Sequence, residues 1–226
     1  LLLTLLACCA FAGIAHAQQV RLSISTGGTG GVWYPIGGAM ANALSKSLPN
    51  TAASAEVTGG SVDNIKLLAS GQSDIGFSMV DAAWDGVNGT GKFKQKVPMR
   101  TLVVVQPLVM HVVTVEGRGI EKIADLKGKR ISTGSPGSGT EVMALRILEA
   151  YGINPDKDVQ RERLGVSEAA NALKDRKIDA FMHAAGVPLP AVTDVAATPG
   201  IKVKLIDHAD AVATMNRKYG PIYAPG

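Results

Sequence analysis

The order of apolar and polar positions predicts a chain in which strands and helices alternate. Apolar and polar residues alternate over 20–25, which is typical of a half-buried strand, whereas apolar residues recur at helical spacing over 35–48. Predicted strands cover 20–25, 55–58, 74–78 and 129–133, and predicted helices cover 35–48, 61–69 and 138–151. This alternation favours mostly parallel sheets with helices on both faces.

Two runs rich in β-branched residues interrupt the alternation in the middle of the chain. Residues 102–105 and 109–115 are separated by Gln106 and Pro107, and they predict a strand pair that carries the chain from one lobe to another. A short helix is predicted over 120–126. A last strand over 201–206 is interpreted as a return crossing.

The same arrangement of turn residues occurs twice. A loop of glycine and hydroxyl residues opens a helix at 26–31 and again at 134–140, and about thirty residues later Ser61 and Ser167 each open another helix. Helix N-termini present unpaired N–H groups and the positive end of the helix dipole, which favour an anion. Two such half-sites predict two lobes that close on one small anionic ligand. This arrangement favours a binding protein over an enzyme.

Candidate ligand-binding residues lie in these loops and beside them. The loop at 26–31 contains more glycine than a tight turn needs, and it matches neither the dinucleotide fingerprint nor the P-loop. The loop at 134–140 offers hydroxyls and free N–H groups for a carboxylate or phosphate, although a well-capped helix is the alternative. The same alternative applies to Ser61 and Asn64. The candidates are Thr29, Gly30, Gly31, Tyr34, Ser61, Asn64, Ser135, Gly137, Ser138, Gly139, Thr140, His183 and Gly186.

Composition and motifs argue against other classes of function. The formal charge is +4 and the pI about 9.1, but aromatic residues make up only 4% and no basic run is interleaved with them, which excludes nucleic acid as a partner. No G-x-S-x-G elbow and no metal-ligand spacing are present, so we predict no catalytic residue, metal or cofactor. An exported hydrolase using Ser138 or Ser61 remains an alternative.

The first 17 residues predict a signal peptide that lacks its n-region. An apolar stretch over 1–14 is followed by Ala15, His16 and Ala17, which fit a cleavage site before Gln18. Cleavage there would place the protein in the periplasm and remove both cysteines. A lipobox-like sequence at 5–8 predicts the alternative of a lipid anchor at Cys8.

Taken together, the motifs resemble the TAXI-type solute-binding subunits of TRAP transporters, within the type II periplasmic binding fold. The resemblance rests on Thr26–Gly38, Gly60–Asn64, Asp125–Lys129, Gly134–Thr140 and Ile178–Ala180. It implies an α/β protein of two lobes, each a mostly parallel sheet flanked by helices, joined by crossing hinge strands. Residues 18–104 would form lobe I and residues 105–205 lobe II. Residues 206–226 would return toward lobe I and stop before completing it.

The resemblance also implies a ligand and a partner. The ligand would be a small organic acid, a dicarboxylate or acidic amino acid such as 2-oxoglutarate or glutamate. The partner would be the integral-membrane TRAP subunits, with a monomeric receptor. The chain departs from the family pattern at two places: Gln106 stands where an aromatic residue is usual, and the usual Gln-Ser-Asp reads Ser78-Met79-Val80-Asp81. Ser78 and Asp81 of the second segment are also candidate ligand-binding residues. A receptor for phosphate-like oxyanions that serves an ABC transporter is the alternative.

Overall fold

The structure is a computed structural model that describes residues 18–225. The expected signal peptide, the lipobox and both cysteines lie outside these residues. The helices are α1 (Trp33–Ser47), α2 (Ser61–Ala69), α3 (Val80–Asn88), α4 (Gly139–Ala150), α5 (Val166–Lys174), α6 (Pro190–Ala196) and α7 (Ala211–Tyr219). The strands are β1 (Val20–Ser25), β2 (Thr51–Glu56), β3 (Ile75–Gly76), β4 (Val109–Val115), β5 (Arg130–Ser132), β6 (Gln160–Glu162), β7 (Ala180–Ala185) and β8 (Val203–Leu205).

The first sheet is parallel and has the order β2-β1-β3. Ile24 of β1 is fully buried and packs with Ala41 of α1 and with Phe77, which follows β3. Strands that share one direction end at the same edge of the sheet, so the loop after β1 and the segment after β3 come together there. We name this sheet, with α1, α2 and α3, the first lobe.

The second sheet has the order β6-β5-β7-β4-β8. Its first three strands are parallel, whereas β4 runs antiparallel to both β7 and β8. Phe181 of β7 and Ile131 of β5 are fully buried, and helices α4 and α5 cover the sheet with Leu148 and Leu173. We name this sheet, with α4, α5 and α6, the second lobe.

The expected α/β fold class is confirmed, and one predicted pair of strands is wrong. The structure places 109–115 inside the second sheet, while 102–105 forms no strand. The side chains of Leu102, Val103 and Val104 are 74%, 61% and 83% exposed. The apolar run therefore has no neighbouring strand to pair with among residues 18–225, and β propensity alone does not form a sheet.

Smaller predictions also need correction. The second strand lies at Thr51–Glu56 and not at 55–58, because its pairing with β1 begins at Thr51. The expected helix at 120–126 is a 3₁₀ turn, Ile123–Leu126. The predicted strand at 201–206 exists as β8, but it pairs with β4 and so does not cross to the first sheet.

The last residues make contacts between the lobes. The Tyr223 hydroxyl lies 3.2 Å from a carboxylate oxygen of Asp81 on α3 and 2.8 Å from Nη1 of Arg146 on α4. Arg146 also donates to Asp85 of α3 at 2.5 Å, and both side chains are almost fully buried. The division into 18–104, 105–205 and a returning segment 206–226 stays a prediction. No helix within residues 18–225 is long and apolar enough to span a membrane.

Candidate functional site

A cavity of about 380 Å³ lies between the two lobes. Its wall combines the loop after β1, the start of α4, the start of α5 and the end of β7. Eight residues expected from the sequence line it, namely Thr29, Gly30, Gly31, Ser135, Ser138, Gly139, Thr140 and His183. The two glycine-rich loops therefore face one cavity, as the repeated arrangement suggested.

The first wall is the loop from Gly27 to Gly31 and the start of α1. Gly31 donates to the Gly28 carbonyl at 3.0 Å, which closes a tight turn. Gly30 lies directly against the second lobe, because a Cβ added there would lie 2.2 Å from Oγ of Ser167 on α5. Glycine at position 30 is therefore what allows the two lobes to approach.

The second wall is the start of α4, where Ser138 is the N-cap. Its hydroxyl accepts from the Glu141 N–H at 3.0 Å and donates to the Ser135 carbonyl at 2.7 Å. The expected capping box is only half formed, because the Glu141 carboxylate binds Arg163 at 2.7 Å instead. The Thr140 hydroxyl accepts from the Ala184 N–H at 3.3 Å. No group within residues 18–225 accepts the proton of this hydroxyl.

Backbone donors on these walls are left without partners. The N–H groups of Gly139 and Thr140 donate to no described residue, as expected for the first turn of a helix. The same holds for Val166 and Ser167 at the start of α5. At the start of α1, the N–H groups of Trp33 and Tyr34 also donate to no described residue. Three helices, α1, α4 and α5, thus begin at one cavity, and each N-terminal end carries partial positive charge.

The start of α5 was absent from the expected site, although Ser167 was recognised as a helix opener. Gly165, Ser167 and Glu168 line the cavity, together with apolar side chains of Trp33 and Met79. The repeat of the Gly/Ser loop and helix could have pointed to Ser167 as the partner of Ser61. No sequence signal identified the apolar part of the wall, because it comes from separate segments.

His183 contributes an uncharged ring to the wall. It lies on β7 opposite His111 of β4, and no described residue hydrogen-bonds its ring nitrogens. The backbone carbonyl oxygen of His183 lies 3.3 Å from Nδ1 of His111. Burial, with a smaller contribution from His111, lowers the pKa of His183 to about 4. At neutral pH the imidazole is therefore neutral, and it can donate one hydrogen bond from one ring nitrogen and accept one at the other.

Seven expected residues do not line this cavity: Tyr34, Ser61, Asn64, Ser78, Asp81, Gly137 and Gly186. Asn64 is fully buried, and its amide donates to the carbonyls of Thr26 and Phe77 at 2.6 and 2.8 Å. Ser61 is not a helix cap, since Gly60 holds that position and the Ser61 hydroxyl accepts from Met79 N–H at 3.0 Å. These hydrogen bonds hold the first lobe together behind the wall.

The other residues of this group have similar structural contacts. The Gly137 carbonyl accepts from Val62 and Asp63 at 3.0 and 3.3 Å and so caps α2 from the other lobe. Ser78 donates to the Met79 carbonyl. Asp81 is buried beside Arg146, and burial raises its pKa. Gly186 packs against Gln106, and Tyr34 lies one residue past the wall.

The low pKa of His183 predicts a pH dependence of stability. An unfolded histidine gains a proton below about pH 6.5, whereas His183 in the fold stays neutral until about pH 4. The free energy of unfolding should therefore fall as pH falls from 6.5 to 4, by ~1–2 kcal/mol for a partly exposed group. Denaturant titrations of the wild type and of His183→Gln at several pH values test this prediction. The free energy of unfolding of the variant should depend less on pH between 6.5 and 4. Parallel pH profiles for the two proteins would contradict the assignment.

Residues 18–225 contain no group of three or more His, Cys, Asp or Glu side chains that could hold a metal. The hydroxyls of Ser138 and Ser61, the two candidate nucleophiles, are engaged with main-chain groups. Neither hydroxyl hydrogen-bonds a histidine in the described part of the chain, so no base is in place to activate them.

Comparisons with known proteins identify a family and solved structures of similar fold. A family model described as the NMT1-like family matches residues 24–226. The alkanesulfonate-binding protein SsuA from Xanthomonas axonopodis pv. citri, solved bound to MOPS, superposes with a TM-score of 0.55 at 18% identity. The aligned region covers 84% of this chain and 61% of that protein.

Two further solved structures are similar. A binding protein component of an ABC phosphonate transporter from Pseudomonas aeruginosa gives a TM-score of 0.57 at 11% identity, covering 84% of this chain and 65% of that one. An ancestral arginine-binding protein bound to arginine gives 0.52 at 20% identity, covering 82% and 78%. At these identities the likeness shows the fold, which is that of the type II periplasmic binding proteins.

Proposed function

This chain belongs to the NMT1-like family, and on that premise we propose that it is an extracytoplasmic solute receptor that captures a small organic anion between two lobes. The observation that carries the proposal is the set of unpartnered N–H groups at the starts of α1, α4 and α5, which line a single cavity. Such groups recognise an anionic oxygen without any ionisable side chain.

The resemblance noted in the sequence supports delivery of the ligand to a TRAP-type secondary transporter. It also supports a carboxylic acid with one or more carboxylate groups as the ligand. An exported receptor accords with the signal peptide expected over 1–17, and a lipid anchor at Cys8 is the alternative form. The geometry supports a binding role, since the cavity holds backbone donors and apolar surface, and the Ser138 hydroxyl is engaged with the Ser135 carbonyl.

The size and character of the cavity weigh against a phosphate-like ligand. A cavity of about 380 Å³ is several times larger than a single oxyanion needs, and a water molecule occupies about 30 Å³ of liquid. Side chains of Trp33, Met79, Leu108 and Leu189 give part of the wall an apolar surface. Apolar surface stabilises a carbon skeleton and contributes nothing to a bare oxyanion.

A substitution at Thr140 tests the proposed site. Thr140→Val removes a wall hydroxyl whose proton has no acceptor among the described residues and nearly preserves side-chain shape. We expect the affinity for the bound organic anion to fall by about tenfold, the effect of one lost hydrogen bond to a charged group. Calorimetry with a panel of carboxylates, sulfonates and inorganic phosphate measures it.

The matched control is Thr133→Val, which removes a buried hydroxyl that has no hydrogen-bond partner in the described part of the chain and does not line the cavity. Its affinity should equal that of the wild type. Equal affinities for Thr140→Val and Thr133→Val, or binding of phosphate with no organic anion bound, would contradict the proposal.

A further inference from the structure

The ionisable side chains on the cavity wall are few, and none is cationic at neutral pH. Among the described residues that line the cavity, none is Lys or Arg, and His183 is neutral. Within residues 18–225, the only charged side chain on the wall is Glu168, at the third position of α5. Helix N-termini are thus the only positive groups available to a ligand there.

Glu168 itself is unpaired. Its exposed carboxylate makes no ion pair or hydrogen bond within residues 18–225. One oxygen folds back over the N-cap residue, lying 2.3 Å from where a Cβ of Gly165 would be, and the Ser135 hydroxyl lies 3.6 Å from the same point. The negative group therefore stands on the wall beside the loop that leads to the anion-binding donors.

These charges decide what a ligand can carry. One anionic group is accommodated by the backbone N–H groups of α4 and the loop after β1, which supply partial charges and direct donors. A second anionic group would meet no cation on the wall and would face the like charge of Glu168, which repels it. A cationic donor such as an ammonium group would instead find an unpaired carboxylate.

We infer that the ligand is a zwitterion with one anionic group, one ammonium group and an uncharged remainder, and that Glu168 selects against dianions. The anionic group is a carboxylate or a sulfonate, and the uncharged remainder packs against Trp33, Met79, Leu108 and Leu189. This inference rests on the proposed function and narrows it. It excludes the dicarboxylates and acidic amino acids that the sequence resemblance implies.

The experiment compares ligands that differ by one charge. Calorimetry on the full chain uses glutamine against glutamate, asparagine against aspartate, 2-oxoglutarate, and a series of amino acids and aminosulfonates with uncharged side chains. At least one zwitterion should bind, and it should bind at least tenfold tighter than its dianionic counterpart. Comparing the carboxylate members of the series with the sulfonate members shows which of the two anionic groups the cavity binds.

Glu168→Gln then tests the role of the carboxylate. The substitution should lower the affinity for the bound zwitterion by about tenfold and raise the affinity for 2-oxoglutarate, because the amide keeps the shape of the side chain and removes its charge. Glu162→Gln is the control, since Glu162 is an exposed acid of β6 outside the cavity and changes the net charge equally. Both affinities should stay unchanged in that variant.

Tighter binding of 2-oxoglutarate or glutamate than of any zwitterion with an uncharged side chain would overturn the inference and leave the proposed function standing. An unchanged preference in Glu168→Gln would also overturn it. Failure of every zwitterion to bind would overturn it as well. The proposed function falls with it only if 2-oxoglutarate and every other organic anion also fail.

Discussion

Replacing Gly30 with valine is expected to lower ligand affinity by about 100-fold, or ~2.7 kcal/mol. A Cβ at position 30 would lie 2.2 Å from Oγ and 3.3 Å from Cβ of Ser167, and 3.5 Å from Val166. Both neighbours begin α5 in the opposite lobe, so the larger side chain would hold the lobes apart. Open lobes separate the donors of α1 from those of α4, and the ligand loses contacts from one side.

Gly38→Val is the matched control, because no atom lies within 4 Å of a Cβ added there and Gly38 is exposed on α1 outside the cavity wall. Calorimetry should give Gly38→Val an affinity close to that of the wild type. Ser167→Ala in the Gly30→Val background should recover part of the loss by removing the closest atom. Equal affinities for the Gly30 and Gly38 variants would show that closure against α5 is not required.

Removing Arg146 is expected to destabilise the fold by ~3–5 kcal/mol at neutral pH. Arg146 is buried between Asp85 at 2.5 Å and Tyr223 at 2.8 Å, and its guanidinium lies 4.2 Å from the centre of the Tyr219 ring. Arg146→Met leaves two buried carboxylates, Asp85 and Asp81, without their cation. Denaturant unfolding followed by circular dichroism measures the loss.

The pH dependence of this loss identifies its cause. Burial already raises the pKa of Asp81, and loss of Arg146 raises it further, so protonation relieves the variant as the pH falls. The destabilisation should shrink between pH 7 and pH 4.5. Asp85→Asn combined with Arg146→Met should recover part of the stability, while Lys177→Met, at an exposed ion pair, should change little. A pH-independent loss would contradict the account.

Helix starts were the part of the site that sequence could predict. Glycines and hydroxyls followed by a helical apolar pattern specify a local conformation, and local conformation is enough to place Gly30, Ser138 and Thr140 on a wall. Asn64 shows the limit of that logic. Its position at a helix start suggested a ligand contact, but its amide is used by two carbonyls that arrive from other strands.

Long-range packing decided what the sequence pattern could not. Residues 102–105 have the composition of a strand, but pairing depends on a neighbour that is distant in sequence. Glu168 and Met79 reach the cavity only because the two lobes meet, and neither has a local signature of binding. The packing of the two lobes decides which charged side chains reach the wall. The charge of the wall, in turn, decides which class of ligand it accepts.

The most direct test of the central claim is a crystal structure of the protein with the ligand that the calorimetric panel identifies. The account predicts that the ligand lies between the lobes, with anionic oxygens about 3 Å from the N–H groups of Gly139 and Thr140, a normal hydrogen-bond distance. The loop at 27–31 should close over its other side. A ligand bound outside this cavity, or inside it with its anionic group turned away from the start of α4, would contradict the account.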